Sequence, residues 1–276
     1  MKSGILVFVL CLGLAAGGSA SAQEDPLPSG EEIIHRANER DFGAFSQETI
    51  HMKLIGKDGK ARERVTRAFN KKFGDERRYL MVFVEPSNVK GTALLTYDYA
   101  DPEKDDDQWL YLPAMRKSRR VPAGERGGAF LGTDFTFEDI KTQTRISVED
   151  YTWKTLAIED IDGHPCYTIE ATPLTPELAK ELGYAKVRIH LDREQLLLRL
   201  SEFCDSSGEV TRTISIRDFE QVTGIWTACT LEAKNLKTGH TTLFTVTESD
   251  FSTEIPDNVF SLQSLERGLP NLPGKP

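Results

Sequence analysis

Four short polar sequences, GKDGK at 56–60, DGH at 162–164, DSSGE at 205–209 and KTGH at 237–240, sit between segments of strand-like composition. This punctuation constrains the fold more than any other feature. Strand-like segments run at 47–55, 61–72, 76–85, 92–99, 108–112, 117–122, 151–160, 164–172, 185–192, 196–204, 210–220, 225–235 and 241–248. Most connections between them are short, which makes antiparallel neighbours and a long meander, with no βαβ rhythm. A sheet of about eleven strands cannot stay flat, and its twist curls it into a concave face.

The interruptions are few. A helix is expected over 30–40, where Ser29 and Glu32 have capping-box spacing and Ile33, Ile34 and Ala37 form an apolar stripe. A second is expected over 176–182, with Thr175 as cap, Pro176 at its first position and Gly183 as stop. Between them a glycine-rich loop at 123–132 runs into TDFTFEDI. The expected class is mostly β (α+β), a large curved antiparallel sheet with helices and loops on its concave side.

At the N-terminus Lys2 precedes the apolar run ILVFVLCLGLAA and then Ala20-Ser21-Ala22. A run of about a dozen residues falls short of the ~20 that span a bilayer, so residues 1–22 read as a signal peptide cleaved after Ala22. Cys11 follows Leu10 and makes a poor lipid-attachment site. The expectation is a soluble exported protein, periplasmic in a host with two membranes, with 23–276 as a single domain.

A formal net charge of −9 argues against nucleic acid as a partner. Cys166, Cys204 and Cys229 are an odd number without CxxC spacing, so at least one thiol stays unpaired and burial is their ordinary role. His35, His51, His164, His190 and His240 are scattered, with no HExxH pair. GERGGAFLG lacks the Lys-Ser/Thr that grips phosphate, and there is no GxSxG elbow. No metal, cofactor or catalytic set is expected, and the chain does not read as an enzyme.

What stands out is a set of strands apolar on both faces. In RYLMVFVE, Tyr79, Met81 and Phe83 alternate with Leu80, Val82 and Val84, and the segments 93–97 and 109–112 behave alike. Burial on both faces explains any one of them. Three neighbours suggest an apolar cavity, with Leu80, Val82, Val84, Leu94, Trp109, Leu110, Tyr111 and Leu112 as candidate lining. Beside them Arg116, Lys117, Arg119 and Arg120 form a cationic turn. It reads either as a solvated turn paired with Asp134, Glu138 and Asp139, or as a site for an anionic head group or an acidic partner.

The runs FVEPSNVKGTALLTY, QWLYLPAMRKSRRV and LGTDFTFEDI, followed in order by GHPCYTIEATP, LDREQLLLRLSEFCDSSGEV, FEQVTGIWTACTLEAKNLKTGHTTLF and IPDNVFSLQSLERG, resemble the LolA-like outer-membrane lipoprotein-sorting family. The resemblance covers about 30–268. It implies an unclosed half-barrel plugged by helices, around a cavity for lipid or lipoprotein acyl chains carried through the periplasm. It also implies an inner-membrane transporter of the resistance-nodulation-division type or an outer-membrane acceptor as partner. On this reading the chain is a monomer that touches membranes only transiently. The alternative is a periplasmic sensor of lipid or lipoprotein acting on an envelope-stress partner. For a carrier, ERGGAFLGTDFTF is the expected gate: Gly124, Gly127, Gly128 and Gly132 permit motion, and Phe130, Leu131, Phe135 and Phe137 cover the opening. A fixed loop with ordinary core aromatics is the other reading of the same residues.

Overall fold

The computed structural model describes residues 26–101, 104–141 and 145–267; the expected signal peptide lies outside the described residues. Thirteen antiparallel strands form one sheet. The first six are β1 (Phe45–Ile55), β2 (Ala61–Phe73), β3 (Glu76–Glu85), β4 (Ala93–Asp98), β5 (Asp107–Leu112) and β6 (Lys117–Arg120). The rest are β7 (Tyr151–Ile161), β8 (His164–Pro173), β9 (Lys186–Asp192), β10 (Leu198–Cys204), β11 (Val210–Val222), β12 (Ile225–Asn235) and β13 (His240–Asp250). Each falls on a segment expected from the sequence. All thirteen segments pair, the short β6 included, from Lys117–Leu112 to Arg120–Trp109, so the expectation of a sheet of about eleven strands is too low.

The order across the sheet is β6-β5-β4-β3-β2-β1-β13-β12-β11-β10-β9-β8-β7. Two meanders therefore meet at the β1–β13 pair, and β6 and β7 are opposite, open edges. The chain must pass from one edge to the other between them, so residues 121–141 and 145–150 form a strap across one face. One buried cluster holds Leu110 of β5, Phe130 and Phe135 of the strap, and Tyr167 and Ile169 of β8. Ten strand spacings separate β5 from β8, about 48 Å in a flat sheet. A single cluster reaching both requires the sheet to coil around the strap as a half-barrel.

Helix α1 (Gly30–Asn38) caps as its sequence demands: the Glu32 N–H donates to Ser29 Oγ at 3.1 Å. Ile33 and Ile34 are fully buried on the inner face. Helix α3 (Pro176–Leu182) has Thr175 accepting from the Leu178 N–H and Gly183 at φ 79° as its stop. Two short helices escaped the sequence reading, α2 (Phe137–Lys141) in the strap and α4 (Leu262–Arg267). At five and six residues they carry too little periodicity to stand out.

The outer face of β2–β5 is covered too. Residues 251–267 lay Ile255, Val259, Phe260 and Leu265 on Phe69, Leu80, Val82 and Leu95. Tyr97 donates to the Phe260 carbonyl at 2.7 Å, and Lys71 pairs with Asp257 at 2.8 Å. This is why RYLMVFVE is apolar on both sides. Tyr79, Met81 and Phe83 face the strap, while Leu80 and Val82 face this C-terminal segment.

Candidate functional site

The strap fills the inner face unevenly. Phe130 packs on Phe83 of β3, with ring centroids 5.9 Å apart, and meets Phe137 edge-on at 5.5 Å. That closes the first-meander side of the half-barrel. Over the other half Phe135 reaches in, stacked on Phe244 of β13 at 4.2 Å, and Asp139, Arg145 and Ile146 also border the space. Beside it lies a cavity of about 260 Å³ between α1, the strap and strands β1–β3 and β9–β13. Its apolar wall includes Ile50, Leu198, Phe203, Ile216, Phe219, Leu231 and Val246. Leu198, Ile216, Phe219, Leu231 and Val246 are only half-buried although their strands put them on the inner face, so what they expose they expose to the cavity.

The strap is fastened across its length. Arg64 of β2 donates to the Leu131 carbonyl at 2.9 Å. Asp134 accepts from Thr242 Oγ1 at 2.7 Å and sits against His240, both on β13. Arg212 of β11 grips Asp139 with two nitrogens, at 2.5 and 3.2 Å. On the other side Lys141, itself buried, reaches Glu138 at 2.8 Å and Asp106 at 2.9 Å. Near the end of the strap, Asn38 and Ile146 exchange two hydrogen bonds, at 2.8 and 3.0 Å, which hold this stretch to α1.

The cavity wall also carries polar groups. Burial pushes the Glu48 carboxyl up from an ordinary 4.5 to about 7. Burial, and then the Glu48 charge, push the Tyr79 phenol upward. Arg40 donates to the Leu196 carbonyl at 3.3 Å, and burial lowers its pKa. Because the folded Glu48 holds a proton that the unfolded chain has lost, stability falls as pH rises between 4.5 and about 7. A Glu48→Gln protein lacks this slope. It should melt above the parent at about pH 8 and close to it at about pH 4, as calorimetry at the two pH values would show. Equal melting differences at both would remove Glu48 as the cause.

The expected site residues are distributed differently from the sequence reading. None of Leu80, Val82, Val84, Leu94, Trp109, Leu110, Tyr111 and Leu112 lines the cavity. Leu80, Val82, Trp109 and Tyr111 belong to the outer cluster under residues 251–267. Leu94, Leu110 and Leu112 face the inner core beneath the strap, and Val84 is half-buried near the end of β3. The correction has a simple physical cause: strands apolar on both faces are strands covered on both faces. The cavity lies instead where β10–β13 present one apolar face that the described residues cover only in part. The one-sided alternation in TISIRDF and CTLEA carries that signal.

Of the four gate candidates, Phe130, Phe135 and Phe137 are buried and Leu131 is half-buried; Phe135 alone lines the cavity. Gly127 is docked, not loose. Its N–H donates to the Glu181 carbonyl at 2.9 Å, and a Cβ there would stand 2.5 Å from that oxygen. The cationic turn is on the exposed edge, away from the cavity. Arg119 pairs with Glu125 at 2.9 Å and Arg120 pairs with Asp107, not with the expected Asp134, Glu138 and Asp139. Arg116 and Lys117 form no ion pair among the described residues. Lys and Arg on an edge strand also discourage pairing with another sheet.

Among the described residues no cluster of His, Cys, Asp or Glu could hold a metal ion, and Cys166, Cys204 and Cys229 are free thiols. A family model described as an uncharacterized protein family matches residues 75–267. No curated protein matches the chain. Among solved structures, a domain from Vibrio parahaemolyticus named for outer membrane lipoprotein sorting is 29% identical, with a TM-score of 0.77 over 86% of this chain and 98% of that one. A DUF1329 family protein from Desulfovibrio piger is 26% identical, with a TM-score of 0.78 over 86% and 97%. A LolA superfamily protein from Nitrosomonas europaea, at 20% identity and a TM-score of 0.63 over 85% and 98%, shares the fold.

Proposed function

Because the chain belongs to the family whose model, described as an uncharacterized protein, matches residues 75–267, and shares its fold with a LolA superfamily protein, we propose that it is a periplasmic carrier for the acyl chains of lipids or lipoproteins. The observation that carries this reading is the cavity of about 260 Å³. Its wall of half-buried Leu198, Ile216, Phe219, Leu231 and Val246 is an apolar surface with nothing among the described residues laid against it. Each methylene moved from water into such a space is favourable by roughly 0.8 kcal/mol. An acyl chain that cannot cross water at a useful rate alone can do so inside it. Hand-over to a membrane, an inner-membrane transporter of the resistance-nodulation-division type or an outer-membrane acceptor then needs the strap to move. The pins at Arg64, Arg212 and His240 are where that motion would be controlled, with Phe135 and Leu131 as the gate's covering side chains. The basic edge at Arg116–Arg120 lies outside the cavity and serves, on this reading, to dock the carrier on an anionic surface or partner.

The test is organic extraction and mass spectrometry of protein purified without detergent, beside an Ile216→Trp variant whose indole occupies the cavity. The expected result is lipid at near one per protein in the parent and about tenfold less in a variant that still melts cooperatively, because the filled space has no room for the chain. A parent that carries no lipid and takes up none when offered would sink the carrier reading.

A further inference from the structure

The cavity is not uniformly apolar. Asn70 Oδ1, Tyr79 Oη and Thr227 Oγ1 line it, are buried, and have no hydrogen-bond partner. Tyr79 is 8% and Thr227 6% exposed. Each such atom costs stability when left unmatched, and phenylalanine or valine at the same positions would avoid the cost. Their placement is convergent. Asn70 stands opposite Tyr79 in the β2–β3 register and opposite Ser46 of β1, with Glu48 the next inward residue of β1. Across the cavity, Leu231 of β12 and Met52 of β1 both stand opposite Phe244. Four residues back along each strand bring Thr227 to within about a residue of the level of Glu48, two strand spacings or about 10 Å away. Three orphaned atoms and a carboxyl thus rim one part of the space.

We propose that this rim is a binding subsite for one uncharged hydrogen-bonding group, an alcohol or an amide, borne on the apolar ligand. The inference rests on the carrier reading and names the ligand class within it. The chemistry follows from the inventory. Tyr79 and Thr227 hydroxyls can donate, while Asn70 Oδ1 and the Glu48 carboxyl can accept, so a group that both accepts and donates satisfies the set. Among the described residues two cations line the cavity, and both are engaged with other groups. Arg40 is turned to the Leu196 carbonyl, and Arg145 to Asp98 at 2.8 Å and to the Tyr99 carbonyl. An anionic head group would sit beside the Glu48 carboxyl with both wall arginines already engaged, and a bare hydrocarbon would leave all three orphans unmatched.

Displacement of Nile red from the full mature chain tests this, using hexadecanol, hexadecanamide, hexadecane and hexadecyl phosphate. The parent is expected to bind the alcohol or the amide about tenfold more tightly than the hydrocarbon or the phosphate, on the scale of one or two neutral hydrogen bonds. A Tyr79→Phe, Thr227→Val double variant should lose that preference and keep its affinity for hexadecane; Thr227→Val alone gives the same comparison if the pair fails to fold. The choice between alcohol and amide identifies the group. Equal binding of all four probes, or a preference unchanged in the variants, would overturn the subsite and leave the carrier reading standing. A parent that takes up neither Nile red nor any probe would instead overturn the carrier reading beneath it.

Discussion

Phe130→Ala is expected to lower the unfolding free energy by about 3–5 kcal/mol, the usual cost of emptying a large aromatic site in a core. Phe130 is fully buried, and it fills the space between Phe83 of the sheet and Phe137 of α2. Neighbours can do little to close the hole, because the strap on either side is held by Arg64 and by Thr133, whose hydroxyl donates to the Phe130 carbonyl at 2.8 Å. Urea denaturation of both proteins measures the difference. A loss below about 1 kcal/mol would mean that the ring is a lid resting on the core and not part of it. The same reasoning predicts that aspartate at this position, or at the equally buried Phe135, unfolds the chain, so the half-buried Leu131 is the position at which to examine gating.

Arg212→Ala is the second large effect, again about 3–5 kcal/mol. The Arg212 and Asp139 side chains are 12% and 11% exposed, and their bidentate contact is charge-assisted. Without the guanidinium, Asp139 keeps the Thr136 N–H, at 2.6 Å, but loses a two-point, charge-assisted contact in a site that water scarcely reaches. Arg212 also lies over the Phe203 ring at 3.7 Å, so packing is lost with the charge. Adding Asp139→Asn should restore much of the loss, because the carboxylate that has lost the guanidinium is no longer charged. Strict additivity in that double-mutant cycle would show that the two side chains do not work as a pair.

The sheet was legible in the sequence because its determinants are local. Turn residues such as those of GKDGK and DSSGE set each reversal, and alternation sets each face. The capping of α1 by Ser29 and of α3 by Thr175 and Gly183 was legible for the same reason. The cavity was not, since it depends on which apolar face stays uncovered once the whole chain has folded. Trp109 and Tyr111 look like lining until residues 251–267, more than a hundred positions later, are seen to lie on them. Ile216 and Leu231 look like ordinary half-sheet residues until the strap is seen to favour the other half. The polar rim was hidden for a related reason: Glu48, Asn70, Tyr79 and Thr227 come from four strands, and no spacing in the sequence relates them.

The β1–β13 pair joins Gln47 to Asp250, 203 residues apart, at the middle of the sheet. Loop-closure entropy makes so distant a pairing among the slowest to form, even though each meander can zip from its own hairpins. During synthesis and refolding, β1 remains an open strand edge until β13 arrives, and that interval is when the chain is most exposed to association with other unpaired strands. Aggregation during refolding should therefore track changes in β1 and β13 more closely than changes in the native edges, β6 and β7.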